Sequence, residues 1–241
     1  MAKALTRSEE KPFDRDSALH GGFIYTTNAP LSSQIANRRL SLATREIKAR
    51  EILDIGCGDG TYTVELLAKD PPPVRVVGLD PAGEAIKVAA ARSRDPRVSF
   101  LVGSAYALPF ADRTFDCAYL RGVLHHMQTP EVAVREALRV AREIVIIEPN
   151  GYNPVLKLIE RASRYHREHD ERSYSSARIR RWITAAGGRV SRLSYVGLVP
   201  FFCPDRAART LKRLEPLAEG TPGLRQLACA VSVIVAHPAG N

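Results

Sequence analysis

The stretch Glu51-Ile52-Leu53-Asp54-Ile55-Gly56-Cys57-Gly58-Asp59-Gly60 concentrates residue types that can do chemistry. A short apolar run carries an acid, Asp54, and three glycines follow at alternating positions. Glycine accepts φ > 0 and lets a ligand approach the main chain closely. Thr61 to Leu67 then reads as the start of a helix, whose free N–H groups face whatever sits on the turn. This is the layout of a nucleotide-type cofactor site. A second acid, Asp80, closes the apolar run Val74 to Leu79. It falls about twenty residues past the glycines, where a carboxylate can accept hydrogen bonds from both ribose hydroxyls of an adenosine.

The spacing discriminates between cofactors. The dinucleotide fingerprint is G-x-G-x-x-G. Here Gly56, Gly58 and Gly60 give G-x-G-x-G, and Thr61 stands where that third glycine would fall. An anionic pyrophosphate disfavours the carboxylate of Asp54, whereas a cationic amine favours it. These features argue against an NAD-dependent oxidoreductase. Leu53 to Gly60 resembles motif I of the class I S-adenosylmethionine-dependent methyltransferases, of the small-molecule, methyltransferase-11-like type. The resemblance covers most of residues 51–149 and extends more weakly to 236. It implies S-adenosyl-L-methionine as cofactor, whose ammonium and sulfonium groups suit nearby carboxylates. Asp54 and the turn Gly56, Cys57, Gly58, Asp59 and Gly60 would hold the methionine end. Asp80, with Pro81 beside it, would hold the ribose. For Asp59 the plainer reading is a first-turn acid favoured by the helix dipole alone.

Two further segments carry the resemblance. Gly103 to Phe110 is similar to the family's G-D-A-x-x-L-P-F, whose acid bonds the adenine amino group; Ser104 replaces that acid. A neutral hydroxyl accepts the bond without charge assistance, at a loss of roughly 1 kcal/mol. The backbone N–H of Ala105 can meet the ring. Leu120 to His126 is similar to a segment often written S-x-L-H-H. It lies at the carboxyl end of a central strand, the rim where open α/β sheets bind ligands. Leu120 is a cofactor-contact candidate there. His125 and His126 are candidate bases for an acceptor hydroxyl or amine, the plainer reading being that they shape the loop. Glu148 closes the fifth strand at the same rim and is a second base or orienting candidate. Sequence spacing places no carboxylate beside the histidines.

The elements that position these residues alternate. Strands are expected at 51–55, 74–80, 98–102, 115–120 and 143–148, with helices at 61–69, after Asp80, and at 129–140. Thr129 is the expected N-cap of the last, with Pro130 at its first position. Such alternation implies a doubly wound parallel sheet, an α/β fold of Rossmann-like type. Residues 190–199 and 228–236 read as the last two strands, and the resemblance implies seven in all with the last antiparallel. Residues 1–50 form an N-terminal segment, with a helix capped by Ser32 or Ser33 and running to Ile47. The resemblance places it over the cofactor, and makes Tyr25 and Arg38 or Arg39 binding candidates. Core packing and solvated charge are the plainer readings of these three. The methyltransferase domain, 51–241, carries insertions at about 151–172 and 200–225 that are expected to cap the substrate. His166 and His169 fall in the first and read as solvated.

Composition bounds the rest. Hydrophobic residues are 45% and charged residues 25%, as in ordinary globular domains. No apolar run reaches membrane-spanning length. The N-terminus lacks an apolar signal core. The four cysteines are scattered, which fits reduced thiols in a cytoplasmic setting and gives no zinc motif. The net charge of +9 keeps a nucleic-acid partner open. Only seven of the 35 basic residues are Lys, so an arginine-rich composition accounts for it more simply. The expected activity is therefore methyl transfer to an oxygen, nitrogen or carbon nucleophile of a small molecule. An RNA or protein methyltransferase and a non-catalytic S-adenosylmethionine-binding protein are the alternatives.

Overall fold

The computed structural model describes residues 29–162, 172–201 and 203–240. Tyr25, His166 and His169 lie outside the described residues. Seven strands form one sheet in the order β3-β2-β1-β4-β5-β7-β6. They are β1 (Glu51–Ile55), β2 (Arg75–Asp80), β3 (Val98–Val102), β4 (Phe115–Arg121), β5 (Ala141–Pro149), β6 (Gly188–Val196) and β7 (Val231–Pro238). Pairing is parallel from β3 through β5, and β7 runs antiparallel to both β5 and β6. The expected fold class holds in strand number and in the antiparallel last strand.

Strand residues alternate between two apolar layers, as a side-chain period of two requires. Leu53 and Ile55, Ala118 and Leu120, and Ile144 and Ile146 pack on one side. There they meet helices α4 (Pro130–Val140) and α6 (Ser176–Ala185), through Ala133, Val134, Ile179 and Ile183. Ile52, Cys117, Tyr119, Val145 and Ile147 face the other side, under Leu40 of α1 (Leu31–Ala43) and Leu66. Between the strands the chain also forms α2 (Thr61–Glu65), which tightens into a 3₁₀ turn at Leu66–Ala68, and α3 (Gly83–Arg92). Beyond β5 come α5 (Pro154–Ala162), α7 (Asp205–Gly220) and α8 (Leu224–Ala228).

Several local expectations are corrected. Ser32 and Ser33 do not cap α1; Pro30 precedes the helix, and both hydroxyls donate to the Phe201 carbonyl, at 2.9 and 2.6 Å. That helix stops at Ala43 rather than reaching Ile47, which is buried all the same. Thr129 takes the N-cap place but its side chain makes no capping bond, whereas Pro130 does open α4. Gly187, at φ 76°, ends α6 as a left-handed residue, and Gly188 already belongs to β6. Arg39 is not a site cation: its guanidinium donates to both oxygens of Glu219, at 2.8 and 2.5 Å, and ties α1 to α7.

The chain leaves β1 toward β2 and leaves β4 toward β5, on opposite sides. The crevice between the carboxyl ends of β1 and β4 is therefore the topological switch point, where ligands bind in open sheets of this kind.

Candidate active site

The turn after β1 enters the crevice with three left-handed glycines, Gly56, Gly58 and Gly60, at φ 73°, 52° and 74°. Only glycine takes these angles without strain. At Gly56 space is also decisive, because an added Cβ would stand 2.5 Å from Cγ2 of Val123 in the loop after β4. The first turn is thus packed against the second loop of the crevice. Gly56 N–H donates to the Leu79 carbonyl at 2.7 Å, which anchors the turn to β2.

Asp80 ends β2 and is built into the same turn. Its Oδ2 accepts from Gly58 N–H at 2.9 Å and its Oδ1 accepts from Ala82 N–H at 2.9 Å. Pro81 bridges β2 and α3 beside it. Asp54 is 3% exposed on the α1 side of the sheet. Burial pushes its carboxyl up to about 6, while a 2.6 Å hydrogen bond from Thr63 Oγ1 and the charge of Arg121 oppose that shift. Arg121 itself lies over the Tyr62 ring, 3.5 Å from its centroid, and donates to Asn37 Oδ1 at 2.8 Å.

The remaining turn residues divide. Asp59 is 2% exposed, and its Oδ2 accepts from Arg92 at 3.0 Å and its Oδ1 from Thr61 N–H at 3.1 Å. The Cys57 thiol is buried and pushed upward by desolvation first and by the Asp54 charge second, so it stays neutral. Ser104 Oγ accepts from Tyr106 N–H at 3.2 Å, a local turn beside the buried Ala105. Leu120 has its side chain in the core, which leaves only its main chain for the crevice.

Across the crevice, Glu148 and His125 form one unit. Glu148 is 1% exposed. Its Oε2 lies 2.7 Å from His125 Nδ1. Its Oε1 accepts from the N–H groups of Val123 and Leu124, each at 2.8 Å. A carboxylate on Nδ1 fixes the tautomer with the proton on that nitrogen and leaves Nε2 as the acceptor. The two rings of His125 and His126 are close, with centroids 3.9 Å apart. Sequence spacing offered no carboxylate for these histidines; the register of β5 against β4, which sets Arg121 beside Ile147, supplies one.

The methyltransferase-11 family model, described as a methyltransferase domain, matches residues 53–146. These residues are thus similar to a methyltransferase domain. The match runs from β1 to β5 and includes the glycine turn, Asp80 and both histidines. Ajmaline N-methyltransferase of Rauvolfia serpentina is 34% identical over 100 residues, 40% of this chain and 34% of that protein. Demethylmenaquinone methyltransferase of a Roseiflexus species is 39% identical over 90 residues, 37% of each chain. The chain thus spans little more than a third of the length of these curated relatives. Among solved structures, a chain in the complex between the Haloferax volcanii Trm112 methyltransferase activator and a methyltransferase superposes with a TM-score of 0.66. It is 20% identical and covers 95% of this chain and 98% of that one, which establishes the shared fold.

The residues present fit S-adenosylmethionine, the cofactor of the class that the glycine turn resembles. The left-handed glycines put no side chain on the turn, and the buried Asp54 and Asp80 are acceptors suited to an amine and to ribose hydroxyls. Thr63, Arg121 and Val123 support this methyltransferase site and were not legible in the sequence. No local pattern signals them, since each acts through a partner distant in the chain.

Proposed function

We propose that the protein transfers the methyl group of S-adenosylmethionine to an oxygen, nitrogen or carbon nucleophile of a small molecule, with His125 as the base. The observation that carries this reading is the 2.7 Å contact between Glu148 and His125 at the rim of the methyltransferase domain. The names of the N- and quinone-methylating relatives are consistent with a small-molecule acceptor.

The bound cofactor supplies an electrophilic methyl on a positively charged sulfur, so the protein's task is binding, orientation and proton removal. Asp54 and the Gly56–Gly60 main chain would hold the amine end of the cofactor. Asp80, which keeps the turn closed through Gly58 N–H, would hold the ribose hydroxyls. Ser104 and the Ala105 N–H would hold the adenine. Opposite them, His125 Nε2 takes the proton from the acceptor O–H or N–H as the new bond to carbon forms. The imidazolium so produced keeps its Nδ1 proton on Glu148, whose buried charge stabilises it. Glu148 also holds the loop through Val123 and Leu124, so the base cannot drift from its place. His126, its ring tilted 42° against that of His125, restricts that ring. The helices beyond β5 cover the acceptor.

Two measurements test the reading. Titration calorimetry with S-adenosylhomocysteine should give micromolar binding, and its absence from folded, ligand-free protein would overturn the cofactor assignment. Methyl transfer from labelled S-adenosylmethionine to a panel of phenols, amines and quinols should then identify an acceptor, and transfer only to tRNA or protein would overturn the small-molecule class.

A further inference from the structure

Three helices that leave the carboxyl rim of the sheet share an unusual surface. α5 follows β5, α7 follows β6, and α8 leads into β7. Because β7 is antiparallel, its first residue, Val231, pairs with both Pro149 and Val196. All three helices therefore stand at the end of the sheet that holds the glycine turn and His125. They are also joined to one another. Asn153, at the start of α5, donates through Nδ2 to the Ala228 carbonyl at 2.9 Å, and Asn150 Nδ2 donates to the Gln226 carbonyl at 2.7 Å. α8 in turn packs on α7.

These helices carry six of the ten large apolar residues most exposed among those described. They are Val155 and Leu158 on α5, Leu214 and Leu217 on α7, and Leu224 and Leu227 on α8, from 43% to 67% exposed. Each pair is spaced by three residues, so each occupies one stripe of its helix. Exposed arginines interleave with them: Arg161, Arg206, Arg209, Arg213 and Arg225. Of the three acids of α7 only Asp205, in its first turn, stands exposed, and the other two do not offset that charge at the surface. Glu215 is buried, accepting from Leu198 N–H at 3.1 Å, and Glu219 is bound to Arg39 and to Gly197 N–H.

We propose that the α5–α7–α8 face docks on an anionic lipid surface. Leucines among arginines on short helices match the requirement for lying in a membrane interface: apolar side chains enter the acyl boundary and guanidinium groups meet lipid phosphates. No helix among the described residues is long and apolar enough to cross a membrane, so the association is peripheral. Charge selects this occupant over a second copy, which would set five arginines against the same five. The leucines select it over nucleic acid, whose bases stack on aromatic rings rather than on aliphatic side chains. On the methyltransferase reading, this orientation turns the acceptor side of the domain toward the bilayer, and the acceptor is a lipophilic molecule dissolved in it. The docking itself does not depend on that reading.

The test is flotation of the full chain with phosphatidylcholine vesicles, with and without phosphatidylglycerol. Binding is expected to vesicles that contain phosphatidylglycerol, and to weaken as salt is raised. The double variant Leu158→Glu, Leu217→Glu should lose binding at least tenfold, and Arg206→Glu with Arg213→Glu should lose it on anionic vesicles. All four positions are exposed, so unchanged melting temperatures and unchanged S-adenosylhomocysteine affinity are expected of both variants. Equal binding by wild type and the leucine variant would overturn the proposal. So would a wild-type dimer, by light scattering, that the leucine variant converts to monomer. Preferential capture by tRNA with no vesicle binding would overturn it as well. A failure of cofactor binding in calorimetry would sink the methyltransferase reading and leave the vesicle result standing.

Discussion

Glu148 reaches His125 Nδ1 with one carboxylate oxygen, at 2.7 Å, and gathers the N–H groups of Val123 and Leu124 with the other. One buried side chain thus sets both the tautomer of the candidate base and the shape of the loop that carries it. Glu148→Gln keeps the volume but offers an amide N–H to Nδ1, which reverses the tautomer preference. Turnover is expected to fall by roughly 10²–10⁴-fold, the range general-base catalysis supplies. S-adenosylhomocysteine affinity should stay unchanged. His125→Gln should cost about as much, and the double variant little more, because residues acting as a unit are not additive. An Glu148→Gln enzyme with full turnover and a shifted KM alone would show that Glu148 only supports the loop.

Asp80 has two duties. Its oxygens accept from the Gly58 and Ala82 N–H groups. Asp80→Ala is therefore expected to weaken S-adenosylhomocysteine binding by about 1–3 kcal/mol, as for charge-assisted hydrogen bonds. It should also lower the melting temperature, since a main-chain donor in the turn loses its acceptor. Calorimetry and thermal denaturation on one preparation separate the two effects. An unaltered affinity in a folded variant would contradict the ribose assignment.

Asp54 gives a pH signature. Its folded-state value is raised by burial to about 6, above the ordinary carboxylate value of 3.8. The native state then holds a proton that the unfolded chain has released, so stability without ligand falls as pH rises from about 4 to about 6. A gap of this size corresponds to roughly 3 kcal/mol. Urea denaturation across that window should show the decline, and Asp54→Asn should flatten it. A cationic amine reverses the preference, so cofactor affinity should rise through the same window and then level off.

Gly56 couples the two loops of the crevice. Gly56→Ala places a methyl group 2.5 Å from Val123 Cγ2 on a backbone at φ 73°. The left-handed strain alone costs about 1–2 kcal/mol, and the clash displaces the His125 loop besides. Loss of both cofactor binding and turnover is expected. Adding Val123→Ala should relieve the clash but not the strain, giving partial recovery of melting temperature. No recovery at all would mean that the two loops are not in the contact described.

The sequence by itself determined the alternation of strands and helices, the glycine turn and the acids that close β1 and β2. These are local properties: side-chain periodicity, the left-handed freedom of glycine, and residue types at fixed short spacings. Its limits appear wherever a residue acts through a distant partner. Ser32 and Ser33 looked like helix caps because the pattern is local, yet their hydroxyls serve the Phe201 carbonyl 169 and 168 residues away. Arg39 looked like a surface or site cation until α7 brought Glu219 to it. Spacing already set Asp80 apart from Asp59, but only the packing of α3 assigns Arg92 to Asp59 and the turn N–H groups to Asp80. His125 and Glu148, 23 residues apart, became one unit through the parallel register of β4 and β5. Tertiary structure decided these pairings because a buried charge is tolerated only where its partners converge, and convergence is a property of the assembled sheet.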